Sequence, residues 1–546
     1  MVPAAPFTAS LVSLKDPLSL ALAGDMAIAG HQFGAFLVVL ATTLFLMACF
    51  RYRVVARVFD VFAHLLGLPF RFPCYATVRL WMLRLGLYRL RSASIGPRWA
   101  LICDHTATYA GLKLFVVCGV DLDKLHQRIA AGIGDFNLCQ DDLQLLALVP
   151  MGHSSGERLL AVYLECFKKH GNPQQIITDG GSDILKSVDL LHERQRTSNQ
   201  PLTRHSYDIS HRIARIIEAA LAAHPAWVAF EEMVKAARNL CKYKLRHFSP
   251  PSQSHGPDRW MNLGGMVDWY SHMLALVEKR ETIARQAQAE RQPPQHQEKP
   301  RIGLTASVWE AGKAKHKNED AHYNAIKSLC GKEYATEADY AQALEEKRPA
   351  LPVTTQEYLL ANSDINEVYL QELMQEAKTA RDIHQTVKDL LAFTNGVQQY
   401  LKAHGLGAKD GDVCAAMLQK AQLKGVGQQV GERVVEVIRG MAQNLEGDER
   451  IIVTSDVVES LNGGWKMLIS GNPTPALAGN ALLMPALTGP PTLEEAKAAL
   501  EAVSVQELAE WTEATFGRTF CQERLGVRPR KPRKSRPNPR ERLGAV

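Results

Sequence analysis

Residues 99–104 read Trp99-Ala-Leu-Ile-Cys-Asp104, a run of mostly apolar residues that ends on a carboxylate. A second run, Gln175-Ile-Ile-Thr-Asp179, ends in the same way and is followed by Gly180-Gly181. Short apolar runs of this kind predict buried strands. In an α/β protein the strand ends face the crevice where ligands bind. Both acids are therefore expected to point into a binding site.

The residues around these two runs predict an α/β core between residues 98 and 215. The predicted strands are Ala100–Cys103, Leu112–Gly119, Leu143–Val149, Ile176–Thr178 and Thr203–Tyr207. Apolar residues at helical spacing predict a helix over Gly156–His170, and Asp208 or Ser210 can cap another helix that begins near His211. Strands first and then strands alternating with helices, with acids on strands one and four, is the order of a ribonuclease H-like core.

A third acid, Glu459, lies in Val453-Thr-Ser-Asp-Val-Val-Glu459, which is typical of the first turns of a helix. Three carboxylates that converge would hold two Mg²⁺ ions, with Mn²⁺ as a substitute, and catalyse phosphoryl transfer. We expect the carboxylates of Asp104, Asp179 and Glu459 within roughly 4–8 Å of one another, with Asp104 bridging the ions. Lys466 lies two helical turns after Glu459, on the same face, where it could hold a phosphate.

Composition and charge bound the class of protein. The chain has 546 residues, of which 46% are apolar, and this is enough for several folded domains. Nine arginines lie between Arg51 and Arg98, and eight basic residues lie between Arg528 and Arg542 against the single acid Glu541. Both runs suit a polyanionic partner. The ten cysteines form no C-x-x-C pair, which is typical of free thiols in a reducing cytoplasm and speaks against a zinc site.

The N-terminal region predicts packed helices. The uncharged segment from Phe33 to Phe50 is followed by arginines and is borderline for a membrane span, but helical patterning continues past the arginines, so a buried helix and no membrane contact are expected. Gly67-Leu-Pro69 breaks the second helix, and a last helix is predicted over Tyr75–Leu85, ending at Gly86. This is a helix-turn-helix candidate, with three ordinary packed helices as the alternative. Its DNA-binding candidates are Thr77, Arg79, Arg84 and Arg89.

Four stretches together resemble a bacterial insertion-sequence transposase of the Asp-Asp-Glu type: Trp81–Tyr88, Trp99–Gly119, Asp179-Gly-Gly-Ser-Asp183 and Glu459-Ser-Leu-Asn-Gly-Gly-Trp-Lys466. The Glu-x6-Lys spacing is part of a signature of hairpin-forming transposases. That signature also has a Tyr and an Arg before the glutamate, and here these positions are Ile452 and Ser455. The resemblance implies Mg²⁺-dependent cleavage at element ends, strand transfer into target DNA, a homodimer on double-stranded DNA and a place at the bacterial nucleoid in the cytoplasm.

The domain organisation follows from these signals. We expect a loosely ordered segment over 1–25, a helix-turn-helix domain over 26–95, the first part of the catalytic core over 96–217, a helical insertion over 218–447 with a flexible linker near 286–300, the second part of the core over 448–523 and a basic disordered tail over 524–546. The insertion is inferred because 280 residues separate Asp179 from Glu459, far more than a simple core needs.

Several neighbouring residues remain open between a functional and a packing role. His105 and His211 could support the acids, Asp183 could cap a helix over Ile184–Leu191, and Trp465 could stack on a base or pack in the core. An aromatic side chain of the insertion stacks on a flipped base in related enzymes, and the candidates here are Trp260, Trp269 and Trp309. Three other functions are weighed against the transposase: a catalytically inactive DNA-binding protein, a structure-specific nuclease of the same fold, and a membrane protein with a cytoplasmic domain.

Overall fold

The computed structural model describes residues 25–47, 51–66, 72–109, 112–243, 249–251, 260–291, 380–469 and 477–517. The predicted N-terminal segment before residue 25, the break at Gly67–Pro69, Trp309, linker residues 292–300 and the basic tail lie outside the described residues. The chain divides into two compact units. The first takes in residues 1–209, 401–406 and 450–546, and the second takes in residues 210–400 and 407–449.

A five-stranded mixed sheet forms the centre of the first unit, with strand order β3-β2-β1-β4-β5. Its strands are β1 (Trp99–Tyr109), β2 (Leu112–Asp121), β3 (Leu143–Met151), β4 (Gln175–Thr178) and β5 (Arg204–Tyr207). β1, β2 and β3 pair antiparallel, whereas β4 is parallel to β1 and β5 is parallel to β4. All five predicted strands are confirmed: the predicted segments of β1–β4 are mainly apolar, whereas β5 reads Arg-His-Ser-Tyr and is mainly polar.

Helices make up most of the remaining described chain. In chain order they are α1 (Ala35–Met47), α2 (Tyr52–Leu66), α3 (Tyr75–Ser92), α4 (Leu122–Ala130), α5 (Gly156–His170), α6 (Ser182–Thr197), α7 (Ile209–Leu221), α8 (Pro225–Tyr243), α9 (Gly264–Arg291), α10 (Arg381–His404), α11 (Asp410–Ala421), α12 (Gly425–Ala442), α13 (Asp456–Ile469), α14 (Leu477–Asn480), α15 (Leu483–Ala486), α16 (Leu493–Ala502) and α17 (Val505–Phe516). Two short strands, β6 (Leu406–Gly407) and β7 (Arg450–Ile451), form a second sheet.

Helices cover both faces of the main sheet, because successive side chains of each strand point to opposite sides. Leu101 and Cys103 of β1 face a core shared with α5 and α6. Ala100 and Ile102 face a core shared with the N-terminal helices α1–α3 and the C-terminal helices α13–α17. The first unit is therefore a layered α/β structure, as the sequence predicted at this coarse level.

The N-terminal helices share their core with the C-terminal helices, whereas the sequence predicted a separate domain over 26–95. Trp81, Met82 and Leu87 of α3 are buried in the same core as Leu482 and Leu500. The prediction that this helix ends at Gly86 was wrong, because α3 continues to Ser92. A Cβ atom at Gly86 would lie 1.7 Å from the carbonyl oxygen of Leu482, so this glycine permits a close approach of two backbones instead of ending a helix.

Within the part of the chain that the structure describes, no single helix is both long and apolar enough to cross a membrane. The segment that raised this question forms α1, which has only 13 residues and buries Leu37, Val38 and Phe45. One pair of helices, α7 with α8, has the length and composition of a span, but the pair is bent by 102°.

The described part of the second unit is helical. α9 runs to Arg291, so it includes the first residues of the linker predicted near 286–300. An aromatic cluster holds its helices together: Trp227 lies 5.7 Å from Trp260, and Phe230 lies 5.2 Å from Tyr270, measured between ring centroids. Trp260 is 2% exposed, which leaves its ring no open face for a base.

Candidate functional site

The first two predicted acids lie side by side in the sheet. Cys103 of β1 is the register partner of Thr178 of β4, so Asp104 and Asp179 occupy the next pair of positions. Neighbouring strands are about 4.8 Å apart, so the two carboxylates start from adjacent backbone positions. The structure corrects one detail, since Asp104 lies within β1 and not at its end. It is β4 that stops there, and this opens the crevice beside Asp104.

Asp179 begins a tight turn that leads into α6. Its carboxylate oxygen Oδ1 accepts a hydrogen bond of 2.9 Å from the backbone N–H of Gly181. Gly180 has a φ of +85°, and a Cβ atom there would lie 1.9 Å from the ring of Tyr207. The Gly-Gly pair after Asp179 is therefore needed for the turn itself, because a side chain at Gly180 would be both strained and without space.

Two buried polar side chains anchor the segment that precedes the third acid. The Gln175 side chain donates to the carbonyl oxygen of Ile452 at 2.5 Å and accepts from its N–H at 3.3 Å. Asp208 is fully buried and accepts hydrogen bonds from the backbone N–H and the hydroxyl of Ser455, at 2.5 and 2.9 Å. Asp208 directly precedes α7, where the sequence predicted Asp208 or Ser210 as a cap, and it also binds the residue before α13. These contacts fix α13 against the sheet.

Glu459 lies in the first turn of α13, and this helix packs on β1. Asn462 follows one turn later on the same helix face. Its amide nitrogen Nδ2 donates a hydrogen bond of 2.8 Å to Oδ2 of Asp104. The helix therefore turns the face that carries Glu459 and Asn462 toward Asp104.

The donor set at this region suits a hard cation. It consists of the carboxylates of Asp104, Asp179 and Glu459 and the amide of Asn462, and oxygen ligands of this kind are what Mg²⁺ prefers. Across the described residues, no group of three or more His, Cys, Asp or Glu side chains is placed so that it could hold a metal ion.

His105, the next residue of β1, points to the opposite face of the sheet from Asp104. Its Nε2 lies 3.1 Å from Oδ2 of Asp183 and 3.2 Å from the hydroxyl of Ser154. Burial lowers the pKa of His105, although Asp183 opposes the shift. Burial tends to raise the pKa of Asp183, but Ser154 and His105 reverse this and leave it lowered. The helix α6 begins at Ser182 with Gly181 as its N-cap, so Asp183 lies in the first turn instead of capping a helix over Ile184–Leu191, and it ties α6 to β1.

Residues after Asn462 on α13 divide between surface and core. Lys466 is exposed, seven residues after Glu459, where the sequence placed a phosphate contact. Trp465 is 0% exposed and donates a hydrogen bond of 2.8 Å from Nε1 to the carbonyl oxygen of Asn480. The prediction that Trp465 could stack on a base is therefore corrected, because this ring belongs to the core.

Two of the arginines predicted to bind DNA are used inside the protein. Arg84 donates to the carbonyl oxygens of Leu500 and Val503. Arg89 forms a bidentate pair with Glu495, at 2.7 and 2.8 Å, and donates to the carbonyl oxygen of Gly489 at 2.8 Å. Either guanidinium would have to break these bonds to reach a phosphate. The two arginines instead bind α3 to the C-terminal helices.

The first turn of α3 is more open, and it lies beside a basic surface formed by the start of the arginine-rich run between Arg51 and Arg98. Thr77 is partly buried, with its hydroxyl 3.3 Å from Sγ of Cys74, and Arg79 is partly buried. The guanidinium carbon of Arg53 lies 5.2 Å from the ring centroid of Tyr75. We call the exposed residues Arg51, Arg53 and Arg57 of α2 and its N-terminal flank, together with Tyr75, the α2 surface.

The remaining candidates belong to the second unit. His211 lies in α7, within that unit. Trp269 is partly buried and donates from Nε1 to the carbonyl oxygen of Ser249 at 2.9 Å. Comparisons of the chain with known protein families and with characterised proteins give no match. The case for a function therefore comes from the residues of the first unit.

Proposed function

We propose that this protein is a DNA transposase that cleaves DNA strands at element ends and joins them to target DNA. The observation that carries the proposal is the adjacency of Asp104 and Asp179 on parallel strands, with α13 held against β1 so that its Glu459 face turns to Asp104. Three carboxylates in one region repel one another, and a bound cation would offset that repulsion. They serve a cation-dependent reaction on an anionic substrate.

The sheet supports a ribonuclease H-like core as the fold of this catalytic unit. Three consecutive antiparallel strands come first, and then β4 and β5 add in parallel on the other side of β1, each after a helix. The acids lie on the first strand and directly after the fourth, which is the order that the resemblance implies. The second unit enters the chain between β5 and α13, where a helical insertion is expected.

The roles of the residues follow from their placement. Asp104 and Asp179 would hold the Mg²⁺ ions together with Glu459, and the bound metal would activate the attacking oxygen and stabilise the leaving oxygen. Asp104 occupies the central position, because its strand has neighbours on both sides. Lys466 is exposed beyond Glu459 and would contact a phosphate of the substrate.

The α2 surface is the proposed site of DNA binding in the N-terminal region. Arg51, Arg53 and Arg57 form no ion pair with any acid in the described part of the chain, and α2 itself carries only one acid, Asp60. Unpaired arginines gain most from phosphate, because binding releases counterions from DNA. Joining two element ends needs a subunit at each end, so the proposed assembly on DNA is a homodimer.

The test is cleavage and joining by the full chain with Mg²⁺, on a supercoiled plasmid that carries the DNA flanking this gene. Wild type should nick the plasmid and join the new ends to a labelled second duplex. Asp104→Asn removes the charge but keeps the shape, so it should fold and bind DNA yet lose cleavage by several orders of magnitude. Asp135→Asn, which changes an exposed acid of the same unit, is the matched control and should cut normally.

Each other outcome points to a named alternative. Nicking without any joined product would identify a structure-specific nuclease of the same fold. DNA binding without any cutting by wild type would identify a catalytically inactive DNA-binding protein. Equal cutting by wild type and Asp104→Asn would overturn the assignment of Asp104 and the metal site with it.

A further inference from the structure

Asn462 is a buried amide at a position where an apolar residue would pack at a lower cost in free energy. It is 3% exposed and lies on α13 between Glu459, one turn before it, and Lys466, one turn after it. Its Nδ2 donates to Oδ2 of Asp104 at 2.8 Å. An ionised carboxylate can only accept, so this bond decides the orientation of the amide. The nitrogen is therefore the atom that binds Asp104, and the carbonyl oxygen Oδ1 is left as the acceptor of the amide.

That carbonyl oxygen is the unusual atom. Oδ1 of Asn462 is buried, and no donor among the described residues forms a hydrogen bond with it. Buried polar atoms are nearly always paired, since leaving one unpaired costs free energy. A lone oxygen acceptor beside a group of carboxylates points to a ligand that brings its own donors, and a hydrated cation does this through its bound water.

We propose that Asn462 is a positioning residue of the candidate site, in two ways, and this inference rests on the proposed function. Nδ2 orients the carboxylate of Asp104 through its bond to Oδ2. Oδ1 accepts a hydrogen bond from water bound to a divalent cation. An amide suits both tasks because it is neutral. A lysine or arginine here would also orient Asp104, but its charge would repel the cation.

The probe is Mn²⁺, titrated into the full chain while free Mn²⁺ is followed by electron paramagnetic resonance. Asn462→Leu keeps the volume and removes both polar atoms, so it should weaken the Mn²⁺ site about 10–100-fold, as loss of residues that orient metal ligands does. Gln195→Leu is the matched control. It also removes a buried amide of the first unit, one that bonds Thr203, and it should leave the Mn²⁺ affinity unchanged.

Asn462→Asp separates the two tasks. It keeps an oxygen for the cation and loses the donor to Asp104, so it should bind Mn²⁺ at least as tightly as wild type while its metal-free form melts at a lower temperature. Equal weakening in Asn462→Asp and Asn462→Leu would overturn the role of Oδ1.

Failure of this inference differs from failure of the proposed function. Mn²⁺ binding that is lost in Asp104→Asn but normal in Asn462→Leu would overturn the role of Asn462 and leave the metal site standing. A wild-type chain without any Asp104-dependent Mn²⁺ binding would contradict both.

Discussion

Replacing Gly86 by alanine tests whether α3 is a packed core helix, as the structure has it, or part of a separate DNA-binding module. By helix propensity alone the change should stabilise the protein by about 0.8–1.0 kcal/mol. The structure predicts the opposite sign, because the new Cβ would lie 1.7 Å from the carbonyl oxygen of Leu482. That oxygen belongs to the backbone, so α3 or the segment before α15 has to move.

The size of the effect follows from these two opposing contributions. Overpacking a core costs about 1–3 kcal/mol, and a clash with backbone belongs at the upper end. After the gain in propensity, a net loss of about 2 kcal/mol remains, which lowers the melting temperature by about 3 °C for a unit of this size. The control is Gly463→Ala in α13, where nothing lies within 4 Å of the added Cβ and the full propensity gain of about 1 kcal/mol should appear.

The assay is thermal unfolding of the full chain by differential scanning calorimetry, with both variants and wild type in the same buffer. The signs should differ, with Gly86→Ala melting earlier than wild type and Gly463→Ala later. A stabilised Gly86→Ala would refute the reasoning, since it would mean that α3 does not pack on Leu482 and that the N-terminal helices are independent of the core.

Three further predictions concern the anchor of α13, the stability at low pH and the α2 surface. Asp208→Ala should lower the free energy of unfolding by about 3 kcal/mol in urea titration, because it leaves the N–H and hydroxyl of Ser455 without their charged acceptor. Ser455→Ala should lower it by only about 1 kcal/mol. Equal losses in the two variants would contradict the role of Asp208 as the anchor of α13. Burial, with a smaller contribution from a nearby histidine, lowers the pKa of His205 from 6.5 to about 4, so the unfolded chain binds its proton first. The neutral His205 therefore costs no stability above pH 6.5, and the free energy of unfolding should fall by about 3 kcal/mol as the pH drops from 6.5 to 4. In urea titrations across this pH range, His205→Gln should show a smaller decrease than wild type. An equal decrease in both proteins would contradict the role of His205. Replacing both Arg53 and Arg57 by alanine in the full chain should weaken DNA binding and reduce its salt dependence by about two charges in a filter-binding titration; an unchanged salt slope would move the interface elsewhere.

The strands and the first two acids could be predicted from the sequence because their signals are local. Each of the strands β1–β4 contains a short apolar run, and each of the two acids stands directly after one. The extent of β1 could not be predicted in the same way. The strand continues through Asp104 and Thr106 because residues of β2 pair with them there. The polar residues of this stretch do not themselves indicate that a neighbouring strand pairs with them.

The placement of α13 and the fate of the arginines depend on contacts distant in sequence. Gln175 and Asp208 meet residues near 452–455 more than 240 positions later, and no periodicity or motif reports such pairs. The positive charge of Arg84 and Arg89 predicted that both side chains are exposed. Instead they bind partners around 400 residues away in sequence, in the C-terminal helices. The role of Asn462 could not be predicted from the sequence for the same reason, because only the fold brings its amide to Asp104.

The most direct test of the central claim is a crystal structure of the full chain grown with Mn²⁺ and measured at the manganese absorption edge. The account predicts anomalous density between Asp104 and Asp179, with a carboxylate oxygen of Glu459 in the same coordination shell, at the bond lengths of about 2.1 Å that small divalent cations adopt with oxygen. Density at unrelated acids only, or Glu459 turned away from an ion held by other residues, would contradict it.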